Sequence, residues 1–285
     1  MSTGLSARKM TAADIPAAMR LKEAAHWNQV PEDWAGFIQI ESTGCFVGEL
    51  DHRVVTTATN FNFENRFGWI GMILVDPSQR RKGIATRMME RSISYLESLP
   101  CPCQKLDATD AGARVYEKIG FLVEYQVERW THDGTAQIPD VEPEISELAG
   151  DDLDLIVEWD SRFFGASRRH LLEWYLSNSA PSLLAGSRND PKGFLVGRPG
   201  SGSFQIGPLV ATDNDVARKL IESYMSRLGS RPMIADINGV NPDSKSLLED
   251  LGFQRSRVLQ RMYRGPNDYP GDPSRVFLLA GFEFG

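Results

Sequence analysis

The run Ile73-Leu74-Val75-Asp76-Pro77-Ser78-Gln79-Arg80-Arg81-Lys82-Gly83-Ile84-Ala85-Thr86 constrains the fold more than any other stretch of this chain. Its apolar beginning reads as a strand ending at Val75. A basic turn containing glycine follows. An amphipathic helix then starts near Ile84, with Ala85, Met89, Ile93 and Leu96 on one face and Pro100 closing it. A strand that feeds such a turn into a helix N-terminus builds an anion site. The N–H groups of the first helical turn have no intrahelical acceptor, and the helix dipole favours negative charge there. Gly83 and Ala85 leave the backbone open to phosphate oxygens. Arg80 or Arg81 can add charge-assisted hydrogen bonds, while Lys82 serves equally well as a solvated surface cation. The expected ligand is a phosphate or pyrophosphate. Gly71, inside the strand Trp69–Val75, signals a bulge or the close approach of another backbone.

The cation cluster is local. The chain has 285 residues and a formal net charge of −7. Residues 1–140 hold 15 Lys/Arg against 18 Asp/Glu, and the remainder holds 16 against 20, so neither half is basic. That balance argues against a nucleic-acid partner. The length fits two domains better than one. Cys45, Cys101 and Cys103 are an odd number, and Cys101-Pro102-Cys103 is too tight for a zinc knuckle and has no neighbouring histidine. No metal is expected, and reduced thiols in a cytoplasmic protein are. An apolar leader and a membrane-length run are both missing from the sequence, so no membrane partner is expected.

Spacing predicts helices over residues 11–29 and 33–41, strands Cys45–Leu50 and Val54–Phe61, and, after the basic turn and its helix, a strand Gln104–Ala108. A helix Asp110–Ile119 with Gly120 past its end and a strand Leu122–Trp130 follow. Thr131 to Glu144, polar and holding Gly134, Pro139 and Pro143, reads as a linker. Beyond it, Leu153–Phe164, Arg168–Leu176 and Val216–Leu228 read as helices, and Phe194–Arg198, Ser203–Val210, Met233–Asn238 and Ser256–Tyr263 as strands. The two parts echo one another. Tyr116-Glu117-Lys118-Ile119-Gly120-Phe121 is matched by Leu248-Glu249-Asp250-Leu251-Gly252-Phe253, 132 residues later. In the second part, Ala211-Thr212-Asp213-Asn214-Asp215 occupies the slot of the basic turn, and its aspartates would repel a pyrophosphate.

With the loop Arg80-x-x-Gly83-x-Ala85 and the later segment Thr109-Asp110-Ala111-Gly112-Ala113-Arg114-Val115-Tyr116-Glu117-Lys118-Ile119-Gly120-Phe121, the chain resembles the GNAT superfamily of acyl-CoA N-acyltransferases. The stretch from Gly165-Ala166-Ser167-Arg168 to Leu279-Ala280-Gly281-Phe282-Glu283 is similar to a two-domain bacterial subgroup whose second domain is divergent. The resemblance implies an α/β (α+β) fold of tandem GNAT-like domains, each a mixed central sheet flanked by helices. Residues 1–134 would form the acetyl-CoA-binding domain, and residues 142–285 a degenerate one without a phosphate loop.

It also implies roles. The backbone of Ile73, Leu74 and Val75 would pair with pantetheine and acetyl groups. Arg80, Arg81, Lys82, Gly83, Ile84, Ala85 and Thr86 would cradle the CoA pyrophosphate. Tyr116, a core aromatic by its helix alone, would by its motif protonate the departing thiolate. The strand-borne glutamate common in the family is missing between Phe67 and Val75. Asp107, His26 or a water chain would serve as base instead. His26, Trp27 and Asn28 lie where the family binds its acceptor, and Asp236 could face the acceptor across the domain cleft. The activity implied is transfer of the acetyl group of acetyl-CoA to a primary amine, on a small molecule or peptide, by direct attack. Another acyl-CoA donor and a non-catalytic acetyl-CoA sensor are the alternatives, and a homodimer is one assembly such a chain could take.

Overall fold

The computed structural model describes residues 4–135 and 144–285. The first half builds β1 (Ser6–Lys9), α1 (Ile15–Ala24), α2 (Pro31–Ile40), β2 (Phe46–Leu50), β3 (Arg53–Phe63), β4 (Phe67–Val75), α3 (Ile84–Ser98), β5 (Gln104–Ala108), α4 (Asp110–Glu117) and β6 (Leu122–His132). The second half builds β7 (Ile145–Glu147), α5 (Leu153–Phe164), α6 (Arg169–Ser177), β8 (Leu183–Ser187), β9 (Asp190–Arg198), β10 (Phe204–Ala211), α7 (Asn214–Leu228), β11 (Met233–Asn238), α8 (Pro242–Asp250), β12 (Gln254–Arg264) and β13 (Val276–Leu278). The strands β1, β7, β8 and β13 were not foreseen; three of them have five residues or fewer at sheet margins, and β13 pairs off the main path. Thr131 and His132, expected in the linker, extend β6, and residues 136–143 of that expected linker lie outside the described residues.

One mixed sheet runs through both halves in the order β1-β2-β3-β4-β5-β12-β6-β11-β10-β9-β8-β7. The two halves follow the same plan, with an exchange where they meet. Strand β6 does not return to β5, which precedes it in the chain. It pairs antiparallel with β11 of the second half, Arg129 opposite Asp236. Strand β12 takes the place beside β5, with Gln260 opposite Ala108, and also pairs along β6. Each half therefore completes the other's sheet. Helices α1 and α2 share one core with α5 and α6, and Phe37, Phe61 and Phe284 lie in edge and tilted contact within it. A Cβ on Gly36 of α2 would sit 2.4 Å from the indole nitrogen of Trp174, so a larger residue there would push α2 and α6 apart.

The central parallel pair of each half diverges. β4 and β5 pair only at Gly68–Gln104 and Trp69–Lys105, and beyond those residues they splay. β10 and β11 pair over Phe204–Ile206 and then splay likewise. In the second half the opening is filled. β13 lies antiparallel against β10, Leu278 opposite Leu209, and the Leu279 amide donates to the Asp236 carbonyl on β11 at 2.7 Å. In the first half the opening is a cleft.

The exchanged strand is locked by a buried ion pair. Arg261 of β12 donates from Nε and Nη2 to both oxygens of Asp107 on β5 at 2.9 Å each, and stacks over Trp69 and Tyr125. Removing one partner of such a pair strands a charge away from water. Arg261→Ala is expected to lower unfolding stability by about 3–5 kcal/mol in urea titrations. The paired change Arg261→Met with Asp107→Leu should cost much less. Because the halves share strands, circular dichroism and tryptophan fluorescence should report one coincident transition. A loss below about 1 kcal/mol for the single change would mean that the pair is dispensable.

Candidate active site

The cleft between β4 and β5 has a volume of about 170 Å³. Its floor is the splayed stretch Ile70–Ile73. β3 and β4 change register between Thr57–Leu74 and Thr59–Gly71, and Met72 has a φ of +51°. The bulge thus sits at Met72, one residue past the glycine. Gly71 serves the other purpose foreseen for it: a Cβ there would lie 3.0 Å from the Glu283 carbonyl, so glycine permits the close approach of residues 281–285. With β5 bent away, the β5-facing backbone groups of residues 70–75 have no ladder partner. Ile73 borders the cleft, while the Leu74 side chain is buried in the core.

At the outer end of β4 the chain turns into α3. Asp76 accepts from the Ser78 amide and hydroxyl, fixing a tight turn, and Arg80 donates back to the Val75 carbonyl at 3.2 Å. Arg81 and Gly83 have φ values of +62° and +77°. Gly83 is the N-cap of α3 and supplies no side-chain cap, no acidic residue follows in the first turn, and a Cβ on Gly83 would meet nothing within 4 Å. This is a helix N-terminus left open to an anion, with Ile84, Ala85 and Thr86 forming its first turn. Lys82 donates to Gln79 and stays on the surface. The matching helix of the second half is closed: Asp213 caps α7 by accepting from the Val216 amide at 3.0 Å, and Asp215 follows in the first turn.

The opposite wall carries Leu106, Asp107, Ala108, Thr109, Gly112 and Tyr116. Thr109 caps α4 by accepting from the Gly112 amide, which holds the helix over the cleft. The Tyr116 ring packs on Phe121, and burial raises its phenol above the ordinary pKa of 10. It is a neutral donor at the cleft wall. Asp107 reaches the same wall, but both carboxylate oxygens accept from Arg261 and its side chain is buried. Burial pushes that carboxyl up and the Arg261 fork opposes it. A carboxylate committed on both oxygens is not free to take a proton from an amine, so the expectation of Asp107 as base gives way to a structural role.

The acceptor-loop expectations divide. Trp27 lines the cleft. His26 has a φ of +55°, is exposed and does not line it. Asn28 clamps the halves together instead: it donates to the Ser203 carbonyl at 2.8 Å and accepts from the Gly202 and Ser203 amides. Asp236 is fully buried behind the cleft, where it accepts from Arg129 on both oxygens at 2.7 Å and from Gln205 at 3.2 Å. It holds Arg129, which does line the cleft.

Gln29, in the stretch expected to bind the acceptor, lines the cleft, while sequence reasoning missed Arg129, Arg257, Phe282 and Glu283 as cleft residues. Glu283 is buried beside Gly71 and is gripped by Arg198, whose other arm donates to Asp33 at 2.6 Å. Burial pushes Asp33 up to about 6 against the pull of Arg198. The available signal was four arginines, at 255, 257, 261 and 264, in and immediately beside one predicted strand, Ser256–Tyr263. A strand so basic had to find buried or site-lining partners. Burial also pushes the Cys45 and Cys101 thiols up to about 12 and that of Cys103 to about 11, so none offers a thiolate.

Known proteins resemble this geometry. The model described as "Acetyltransferase (GNAT) family" matches residues 15–121, and "Acetyltransferase (GNAT) domain" matches residues 156–278. The holothin acyltransferase of Pseudoalteromonas sp. (strain SANK 73390) is 22% identical over 271 residues, 92% of this chain and 88% of that protein. A structure from Pyrococcus horikoshii, classed with the acetyltransferases, superposes with a TM-score of 0.87 at 23% identity over 100% of this chain and 97% of that one. A tandem GNAT protein from the clavulanic acid biosynthesis pathway superposes with a TM-score of 0.64 at 13% identity, over 93% of this chain and all of that one. With an open phosphate-type loop in one half, a closed counterpart in the other and a family match to each, the chain belongs to the GNAT acyltransferases and carries two GNAT domains in tandem.

Proposed function

We propose that this protein is an acetyl-CoA-dependent N-acetyltransferase that acts on a primary amine by direct attack. The observation that carries the reading is the uncapped, glycine-opened N-terminus of α3 at the end of a bulged strand that faces a neutral, half-buried tyrosine. The residues present fit CoA. Gly83 leaves empty the space that a Cβ would occupy, the first-turn amides supply donors, and Arg80 and Arg81 stand beside them. Acetyl-CoA would supply an acyl thioester. The chain does the rest. The β5-facing backbone groups of residues 70–74 that lack a ladder partner would hold the thioester arm in the manner of an added strand. The amide groups around the Met72 bulge polarise the acyl carbonyl. The cleft walls exclude water and keep the acceptor nitrogen in line. The Tyr116 phenol would give its proton to the sulfur as the C–S bond breaks, and the proton shed by the attacking nitrogen would return to the phenolate through a water chain. The protonated state of the three thiols speaks for direct attack over a covalent acyl-enzyme.

Gly83→Glu places bulk and negative charge at the open helix end. It is expected to weaken acetyl-CoA binding at least about 100-fold in calorimetry, the scale of 3 kcal/mol, with the circular dichroism spectrum preserved. Undiminished affinity in the folded variant would remove the loop from the site.

Tyr116→Phe keeps the ring and removes the proton. Turnover should fall roughly 100-fold or more at unchanged acetyl-CoA affinity. The sign of the pH effect follows from burial. A phenol raised above 10 keeps its proton across the neutral range, so the alkaline fall in kcat assigned to Tyr116 should lie above pH 10 and vanish in the phenylalanine variant. A near-normal rate would return Tyr116 to the core. Tight acetyl-CoA binding with no CoA release for any amine would make the protein a sensor.

A further inference from the structure

The cleft wall beyond the acyl end holds two arginines, Arg129 and Arg257. They stand directly opposite one another on β6 and β12. Like charges at facing positions repel, so each needs an answering anion. Arg129 has one: Nε and Nη2 both donate to Asp236, and the ring of Phe282 lies 4.5 Å beneath its guanidinium. Asp236 also accepts from Gln205, and its bonds go to Arg129 and Gln205 rather than to Arg257. Arg257 has no anion in bonding contact. Among the described residues it makes no hydrogen bond and no ion pair, although it is half-buried. Loss of water and the neighbouring Arg129 pull its pKa below the ordinary value, against a smaller opposing pull from Asp236.

The placement is built into the strand. β12 slips register against β6 between Arg255 and Arg257, and such a bulge re-aims the side chain that follows it. Arg255 goes outward to Glu128 at 3.1 Å, and Arg257 goes to the cleft, in company with Trp27 and Phe282. A half-buried guanidinium with no bonded partner, in a cleft that Trp27 and Phe282 also line, matches a planar anion that arrives with a ligand.

We propose that the acceptor amine carries a carboxylate, or an anion of that shape, and that Arg257 receives it while the amine faces the acyl group. The inference rests on the acetyltransferase reading and narrows its acceptor to an amine with a nearby acid.

The test compares matched acceptors with acetyl-CoA as donor: glycine against glycinamide, and phenylalanine against phenylalaninamide. A charged hydrogen-bonded contact of this kind corresponds to about 10- to 100-fold in kcat/KM. The free acid should be preferred by that factor. In Arg257→Gln the preference should collapse to near unity at unchanged acetyl-CoA affinity, and Arg257→Lys should restore part of it. Equal use of acids and amides, or a preference that survives Arg257→Gln, would overturn the proposal. So would loss of acetyl-CoA affinity in Arg257→Gln with the preference intact, since the arginine would then belong to the CoA. If no amine releases CoA, the acetyltransferase reading fails and the anion site is decided separately. In that case the CoA complex is titrated with N-acetylglycine and its amide. Tighter binding of the acid, lost in Arg257→Gln, keeps the site; equal binding removes it.

Discussion

Two parallel strands that stop pairing after two residues leave backbone donors and acceptors without partners, and much of the molecule is arranged around that debt. Buried peptide groups must bond to something. Beyond Trp69 and Lys105, β4 and β5 offer a row of such groups. The second half meets the same need between β10 and β11 by laying its own β13 and Leu279 into the gap. The same architectural opening is therefore a ligand cleft in one half and packed protein in the other. Their helix termini agree with that division, since α3 starts at an uncapped glycine and α7 at an aspartate that satisfies its own amides.

The filling segment does not end its work in the second half. From Leu279 the chain passes to the mouth of the first cleft, where Phe282 and Glu283 become lining residues. It is held there by many bonds. Tyr175 donates to the Ala280 carbonyl at 2.6 Å, Trp69 to the Phe282 carbonyl at 3.1 Å, and Arg168 to the Gly285 carbonyl at 3.0 Å. Arg168 is itself held by both oxygens of Asp160. The buried arginines Arg168, Arg198 and Arg261 and the largely buried Arg129 each hold a carboxylate, which sets the half-buried Arg257 apart from them. Removing one member of such a pair would strand the other, so the wall of the cleft is stiff where it meets the second half.

What the sequence disclosed was what local chemistry controls. A glycine before an amphipathic helix and a threonine three residues before Gly112 announce helix starts, and both act over one turn. Loop Arg80–Thr86, the tyrosine helix and the acidic turn of the second half were legible for that reason. Asp107 was placed on the right wall, but its bond to Arg261 was not legible, because that arginine lies 154 residues further along. Asp236 was expected to face the acceptor across the cleft, but it is buried behind it on a partner, Arg129, that is 107 residues away. The exchange of β6 and β12 carries no local signature at all. Its hydrophobic pattern would serve beside either neighbour, and the order is decided by contacts that periodicity does not contain.

That exchange sets a timetable for the nascent chain. When β5 leaves the ribosome, the strand that will cover its edge lies about 150 residues in the future. At the usual pace of synthesis, about 5–20 residues per second, β5 waits roughly ten to thirty seconds for Arg261 to reach Asp107. During that interval an unpaired strand edge and half of a buried ion pair face the cell, and a second chain emerging from the same message offers an identical β12. Folding within one molecule then competes with pairing between two, and the outcome depends on local concentration during translation more than on the stability of the finished protein.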